Sequence, residues 1–179
     1  VVSILPILLV GFIPYYKSQQ MVENQVLDLA QSVVNQLNSN ITYYFKEMDL
    51  MSNVIYYQLE NNDILLLDEI GRFLHELKSN RPFIAEIHIL TDKQTISTAG
   101  IIEREELEKS EWYVEALRQI DKKSWIRPHT TEYIRDSTGE RAISLMYPYL
   151  HRGKLRVILI EMKLNEFDQL FKTDLKNLG

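Results

Sequence analysis

From Lys17 to about Gln58 the chain holds neither glycine nor proline, and its apolar residues return at every third or fourth position. Val26, Ala30, Val33, Leu37, Ile41, Tyr44, Met48, Met51 and Ile55 therefore fall on one stripe of a continuous α-helix. About forty residues make roughly 60 Å of helix, far longer than the helices of ordinary globular domains. Such a helix either lies along a partner helix or carries a domain. The same stripe must also cover whatever core the following residues build, so self-association and packing within the chain both remain open.

Upstream, Val1 to Tyr16 (VVSILPILLVGFIPYY) carries no charge. As a helix it would span roughly 24 Å, short of a hydrocarbon layer of ~30 Å, which predicts the C-terminal part of a transmembrane helix. Pro6, Gly11 and Pro14 are tolerated in spanning helices. Tyr15-Tyr16 before Lys17 stands where an interfacial aromatic belt would. No small-residue cleavage site follows, as a signal peptide would require. The apolar run starts at Val1 with no initiating Met, and the expectation is a fragment of a longer protein cut inside its membrane segment.

A net charge of −5 with scattered Lys and Arg excludes a nucleic-acid partner, because phosphate binding needs a clustered basic face. The absence of cysteine removes disulfides, Cys-based zinc sites and thiol nucleophiles together, and it suits a Gram-positive cell exterior. His75, His88, His129 and His151 lack metal-ligand spacing. There is no phosphate-cradling glycine loop and no nucleophile elbow, and Glu103, Glu105, Glu106 and Glu108 read as a solvated charge run. No catalysis, metal or cofactor is expected.

Asn61-Asn62-Asp63 offers capping side chains for a second helix with Leu66, Ile70, Phe73, Leu74 and Leu77 on its apolar face. The period then changes. Phe83–Leu90 alternates as a strand with Ile84, Ile87 and Ile89 inward; residues 91–94 form a turn, and Thr95–Thr98 a return strand. Glu111–Ile120 predicts a short helix with Trp112, Ala116 and Ile120 on one face. Further strands are predicted at 124–126, 132–134, 142–150 and 155–164, with turns at 136–139 and 152–154 and a closing helix at 165–171. Two helices, a hairpin, a short helix and a three-stranded meander define an α+β domain.

These residues also carry a resemblance. The long helix after an apolar segment, then EIHILTDKQTIST, SEWYVEALRQ, SWIRPH and DSTGERAISLMYPYLHRGKLRVILIEMKL, resembles the extracellular Cache domains, PAS-like sensors most often built as double Cache modules. The N-terminal LPILLVGFIPYYKSQQMVENQV is most similar to Gram-positive membrane sensor histidine kinases; membrane-anchored AraC-type regulators and chemoreceptors share the domain. The resemblance implies a two-helix, PAS-like antiparallel sheet architecture. It divides the chain into a membrane segment (1–16), a signalling and dimerisation helix (17–60), a membrane-distal sensor domain (61–172) and a connector to a second subdomain (173–179). It implies a small-molecule ligand held between the short helix and the sheet, a membrane anchor, an extracellular location and a homodimer along the long helix. The amino-acid-binding Cache pattern places an Arg two residues before its Trp-Tyr pair. Ser110 stands there, which leaves sugars, peptides or another polar metabolite open beside α-amino acids. Trp112 and Tyr113 match the pair, Tyr133 the later aromatic, and Glu161 the acidic position of the last strand.

The candidate ligand-binding residues are Trp112, Tyr113, Trp125, Arg127, Tyr133, Tyr147, Tyr149 and Glu161. Aromatic rings flanking a polar ligand supply contact area and hydroxyl donors at small entropic cost, although the same rings can simply fill a core. Arg127 can hold an anion bidentately. Glu161 is the most informative, because a carboxylate inside an otherwise apolar strand needs a partner. A structural surface stalk is the reading from another class; it predicts no enclosed pocket.

Overall fold

A computed structural model describes residues 4–61, 67–135, 137 and 139–165. The chain divides into two compact units, Val1–Ile41 with Leu170–Gly179, and Thr42–Gln169. The expected caps Asn62 and Asp63, Leu66, the closing helix beyond Asn165 and the connector at 173–179 lie outside the described residues.

Helix α1 (Ile4–Asn61) is continuous, as the run without glycine or proline requires. Within the first unit Val26 stands exposed, with Met21, Val22, Leu27, Leu29 and Val34. Among the described residues no helix is long and apolar enough to cross a membrane. Within the second unit the stripe turns inward: Met48, Met51, Ile55 and Leu59 are buried, and Ser52 with them. Here, then, the apolar stripe packs within the chain.

Helix α2 (Leu67–Ser79) packs on β1 (Ile84–Leu90) and β2 (Thr95–Ser97). Two short helices follow, α3 (Arg104–Lys109) and α4 (Glu111–Leu117), then β3 (Ser124–Thr130), β4 (Arg141–His151) and β5 (Lys154–Lys163). The stretch read as a solvated charge run is thus partly helical. Arg104 and Glu108 pair across one turn at 2.6 Å, while Leu107 is buried beneath them. Helix α4 stops at Leu117, so Ile120 is exposed and Tyr113 with Ala116 forms the buried face instead.

The five strands form one antiparallel sheet in the order β2-β1-β5-β4-β3. The β4–β5 hairpin closes through Arg152 (φ 52°) and Gly153 (φ 76°). Two successive positive φ values are what a two-residue turn matching the strand twist needs, and the second falls on the residue without a Cβ. The strand expected at 132–134 is not one. Ile134 donates its amide to Thr131 O across a turn and meets Ile102 in an isolated bridge, so this segment is tied to residues 101–103.

Register sorts the side chains, because antiparallel partners share a face and successive residues alternate. Val157, Leu159 and Glu161 face one way with Leu90, His88 and Glu86 and with Pro148, Met146 and Ser144. On that side Leu107, Tyr113, Ala116, Tyr133 and Ile134 complete a hydrophobic core. Ile158 and Ile160 face the other way with Ile89, Ile87, Tyr147 and Leu145. There α1 packs: the Tyr56 ring stands edge-on to Tyr149 at 5.0 Å, and Phe45 meets Trp125 edge-on at 4.5 Å.

Candidate functional site

Glu161 sits on β5 with strands on both sides and no solvent exposure. One carboxylate oxygen, Oε1, accepts a hydrogen bond from the Tyr133 hydroxyl. The other, Oε2, lies 3.3 Å from His88 Nε2, close enough for attraction but without hydrogen-bond geometry. His88 is equally buried, and its Nδ1 is 2.8 Å from Ser97 Oγ. On the other side of Tyr133, His129 Nε2 lies 3.5 Å from the phenol oxygen and 3.3 Å from Ser144 Oγ. A polar chain thus runs Ser97–His88–Glu161–Tyr133–His129–Ser144 through an apolar layer. Buried polar groups of this kind are stable only when they satisfy one another.

Two clefts flank this chain. The first, of ≈ 600 Å³, has Glu161 in its wall with Glu86, Gly100, Thr131, Ile134 and Glu140, and carries Arg135, Arg141 and Lys163. Its size suits a small molecule. The second, of ≈ 800 Å³, lies between α4 and β3 and is lined by Trp112, Ala116, Trp125, Arg127, Pro128 and His129. The Trp112 ring packs on His129 at 4.5 Å and lies 6.0 Å from Tyr133. Tyr113 is buried beneath α4, and burial pushes its hydroxyl up to about 12.

The eight residues expected at a ligand site do not converge. Trp112, Tyr113, Tyr133 and Glu161 share the face that α4 covers, and Arg127 lies exposed at the second cleft. Tyr147 and Tyr149 stack on each other at 5.5 Å on the opposite face, against Tyr56 of α1. Register puts Trp125 with Leu145 on that face too, although it borders the second cleft. Burial likewise pushes Tyr149 up to about 12, with Arg156 opposing. These three rings dock the sheet onto α1.

Sequence reasoning did not single out His88, and it read His129 as a loop residue near the mouth of a pocket, whereas the structure places it on β3. The alternation read from Phe83–Leu90 turns His88 away from the inward Ile87 and Ile89, which in a one-sided sheet means solvent. Here both faces of β1 are covered. The usable signal was a titratable residue inside a strand as apolar as FIAEIHIL. Among the described residues no group of acidic, His or Cys side chains could hold a metal ion.

No family model matches the chain, and no curated protein matches it. Solved structures do. The ligand-binding domain of the Pseudomonas aeruginosa PAO1 amino-acid chemoreceptor PctC, in complex with GABA, superposes with a TM-score of 0.59 at 21% identity, covering 75% of this chain and 64% of that one. The ligand-binding domain of Mlp24 with asparagine gives 0.56 at 16% identity, over 82% of this chain and 62% of that one. The chain spans less than two thirds of each. The α+β fold, with its long N-terminal helix and five-stranded antiparallel sheet, is that of chemoreceptor ligand-binding domains.

Proposed function

We propose that this chain is the extracytoplasmic small-molecule-sensing part of a membrane-anchored receptor, and that its ligand presents a positively charged group to Glu161. The observation carrying the reading is a carboxylate with no solvent exposure that borders a cleft of ≈ 600 Å³ while one of its oxygens lacks a hydrogen-bond donor. Burying an ionised carboxylate costs several kcal/mol unless it is fully paired. A fold with no use for the charge would place Leu or Val there, as it does at the neighbouring β5 positions. The Tyr133 ring, whose hydroxyl meets Glu161, suits a cationic or amine-bearing ligand through cation–π contact.

The receptor's anchor would be residues 1–16, its signalling helix residues 17–60, its sensor residues 61–172 and its connector residues 173–179, with the sensor outside a Gram-positive cell. The output is that of a two-component sensor histidine kinase in the sequence resemblance, whereas the solved structures favour a chemoreceptor. Ligand occupancy would favour one packing of the sheet on α1, and a coupling of a few kcal/mol would suffice. The receptor would be a homodimer along α1. Because Met48, Met51 and Ile55 are buried within the chain, the surface that the second unit's part of α1 leaves for a partner copy includes the exposed Tyr43, Leu50, Val54 and Tyr57.

A thermal-shift screen of the whole chain against amines, amino acids, sugars, organic acids and short peptides tests the sensor reading. A ligand at a hundred times its Kd adds about 2.7 kcal/mol, and the shift is expected to vanish in Glu161→Gln. A hit that survives the substitution places the site elsewhere. A silent screen on folded protein refutes the reading.

A further inference from the structure

Among the described residues Glu161 has one hydrogen-bond donor, and it comes from an unusual place. Tyr133 belongs to the turn that follows β3, not to a strand. Its own carbonyl accepts from Glu103 N at 2.7 Å, and Arg135 N donates to Ile101 O at 3.0 Å, so its backbone is held by the 101–103 segment. The phenol therefore reaches the carboxylate from the covering segment, and the sheet itself supplies no hydroxyl, ammonium or guanidinium hydrogen bond to Glu161. The hydroxyl also has a second acceptor within range, because His129 Nε2 lies 3.5 Å away. His129 Nδ1 lies 3.0 Å from Arg127 O and donates to it, which holds the imidazole and leaves Nε2 its lone pair.

We propose that Tyr133 is an internal competitor for the ligand: Oε2 of Glu161 is faced by His88 Nε2 at 3.3 Å, and the Tyr133 hydroxyl occupies Oε1 until a cation displaces it and it turns to His129. This rests on Glu161 being the anchor proposed above. It sets a threshold on ligand charge. A neutral ligand hydroxyl would replace one neutral donor with another and gain nothing from the exchange. An ammonium makes a charge-assisted bond roughly twice as strong as a neutral one and clears the threshold. The hydroxyl also satisfies one oxygen of Glu161 in the empty protein, where a carboxylate with neither oxygen paired would be costlier still. The competing bond lowers every ligand's affinity by the same factor, so neutral ligands fall below detection first.

Calorimetric titration of the whole chain with two isosteric pairs, putrescine with 1,4-butanediol and ethanolamine with ethylene glycol, tests this. In the wild type only the amines are expected to bind. Tyr133→Phe keeps the ring and removes the competing donor, so amine affinity should rise about tenfold to a hundredfold, the equivalent of one hydrogen bond to a charged group. The same gain should bring the diols into range. Amine binding that requires Glu161, yet weakens or stays constant in Tyr133→Phe, overturns the competitor and leaves the anchor standing. Amine binding that survives Glu161→Gln, or amines that bind neither the wild type nor Tyr133→Phe, overturns both. The wild type gives a second readout that needs no variant to fold. The chain has four histidines, so the His129 ring nitrogens can be followed by 15N resonance. Nε2 should shift on adding putrescine as the hydroxyl arrives, and an unmoved resonance at saturation refutes the switch.

Discussion

Glu161→Gln, measured without ligand, separates a charge kept for binding from one kept for the fold. The substitution preserves length and shape. The amide oxygen can still accept from Tyr133, and the amide nitrogen, 3.3 Å from His88 Nε2, becomes a donor where the carboxylate had none. What disappears is the negative charge. Its burial carries an effective penalty of several kcal/mol, while the hydrogen bond to Tyr133 returns roughly 1.5–3 kcal/mol. The two do not cancel, and neutralisation is expected to leave stability unchanged or raise it by about 1–2 kcal/mol. For a unit of this size that is a rise of about 3–8 °C in Tm. Glu161→Ala should do the opposite, because it strands the Tyr133 hydroxyl and opens a cavity, for a loss of about 2–4 kcal/mol. Urea denaturation at pH 7, with the slope checked for constancy, measures both. If Glu161→Gln costs more than ~1 kcal/mol, the charge is a structural tie and the argument from burial to ligand fails.

Three further outcomes follow from the packing. Ile55→Ala, at a wholly buried position of α1, should cost about 2–4 kcal/mol in urea denaturation; a cost near zero would mean that α1 is not part of the core. Leu50→Glu with Val54→Glu changes two exposed residues of that helix, so the melting temperature should hold while light scattering moves from dimer to monomer. A dimer that persists places the interface on another face. Tyr113 and Tyr149, both pushed up to about 12 by burial, keep their protons in the folded state after the unfolded chain begins to ionise near pH 10. Stability should therefore be flat with respect to these groups below pH 10 and fall between about pH 10 and 12, by roughly 2 kcal/mol for each. The Phe variant at either position should flatten that decline, and an unchanged slope would contradict the assignment.

Much of this architecture is legible in the sequence because its signals are local. The run without glycine or proline specifies α1, and the strands expected at 142–150 and 155–164 match Arg141–His151 and Lys154–Lys163. Glu161 stands out as the lone charge inside ILIEM. The segment at 132–134 has strand-like residues, but its amides are spent on a turn and on residues 101–103, a choice made by distant chain. The same holds for the aromatics. Tyr147 and Tyr149 are visibly on one face of their strand. Which face that is depends on pairing Tyr147 with Ile158, a relation that only the folded register defines. The eight candidate residues are divided by that register rather than by any property of their own.

The register also bears on how an event at the carboxylate would reach the helix. Glu161 lies between Ile160 and Met162, whose side chains point to the opposite face of β5 from its own. Ile160 pairs with Leu145, and Ile158 with Tyr147, two positions before Tyr149, whose ring meets Tyr56 of α1. Across the sheet edge, Lys123 Nζ binds Asp49 Oδ1 at 2.6 Å and Asn53 Oδ1 at 2.7 Å, fixing the chain entering β3 to the same helix. A close-packed interior transmits a change in one side chain as a shift of its neighbours, because there is little void to absorb it. Exchanging a phenol for a ligand at Glu161 would thus move β5 against a face whose contacts are α1 itself. The aromatic residues that do not line the site are the ones through which its occupancy would be felt.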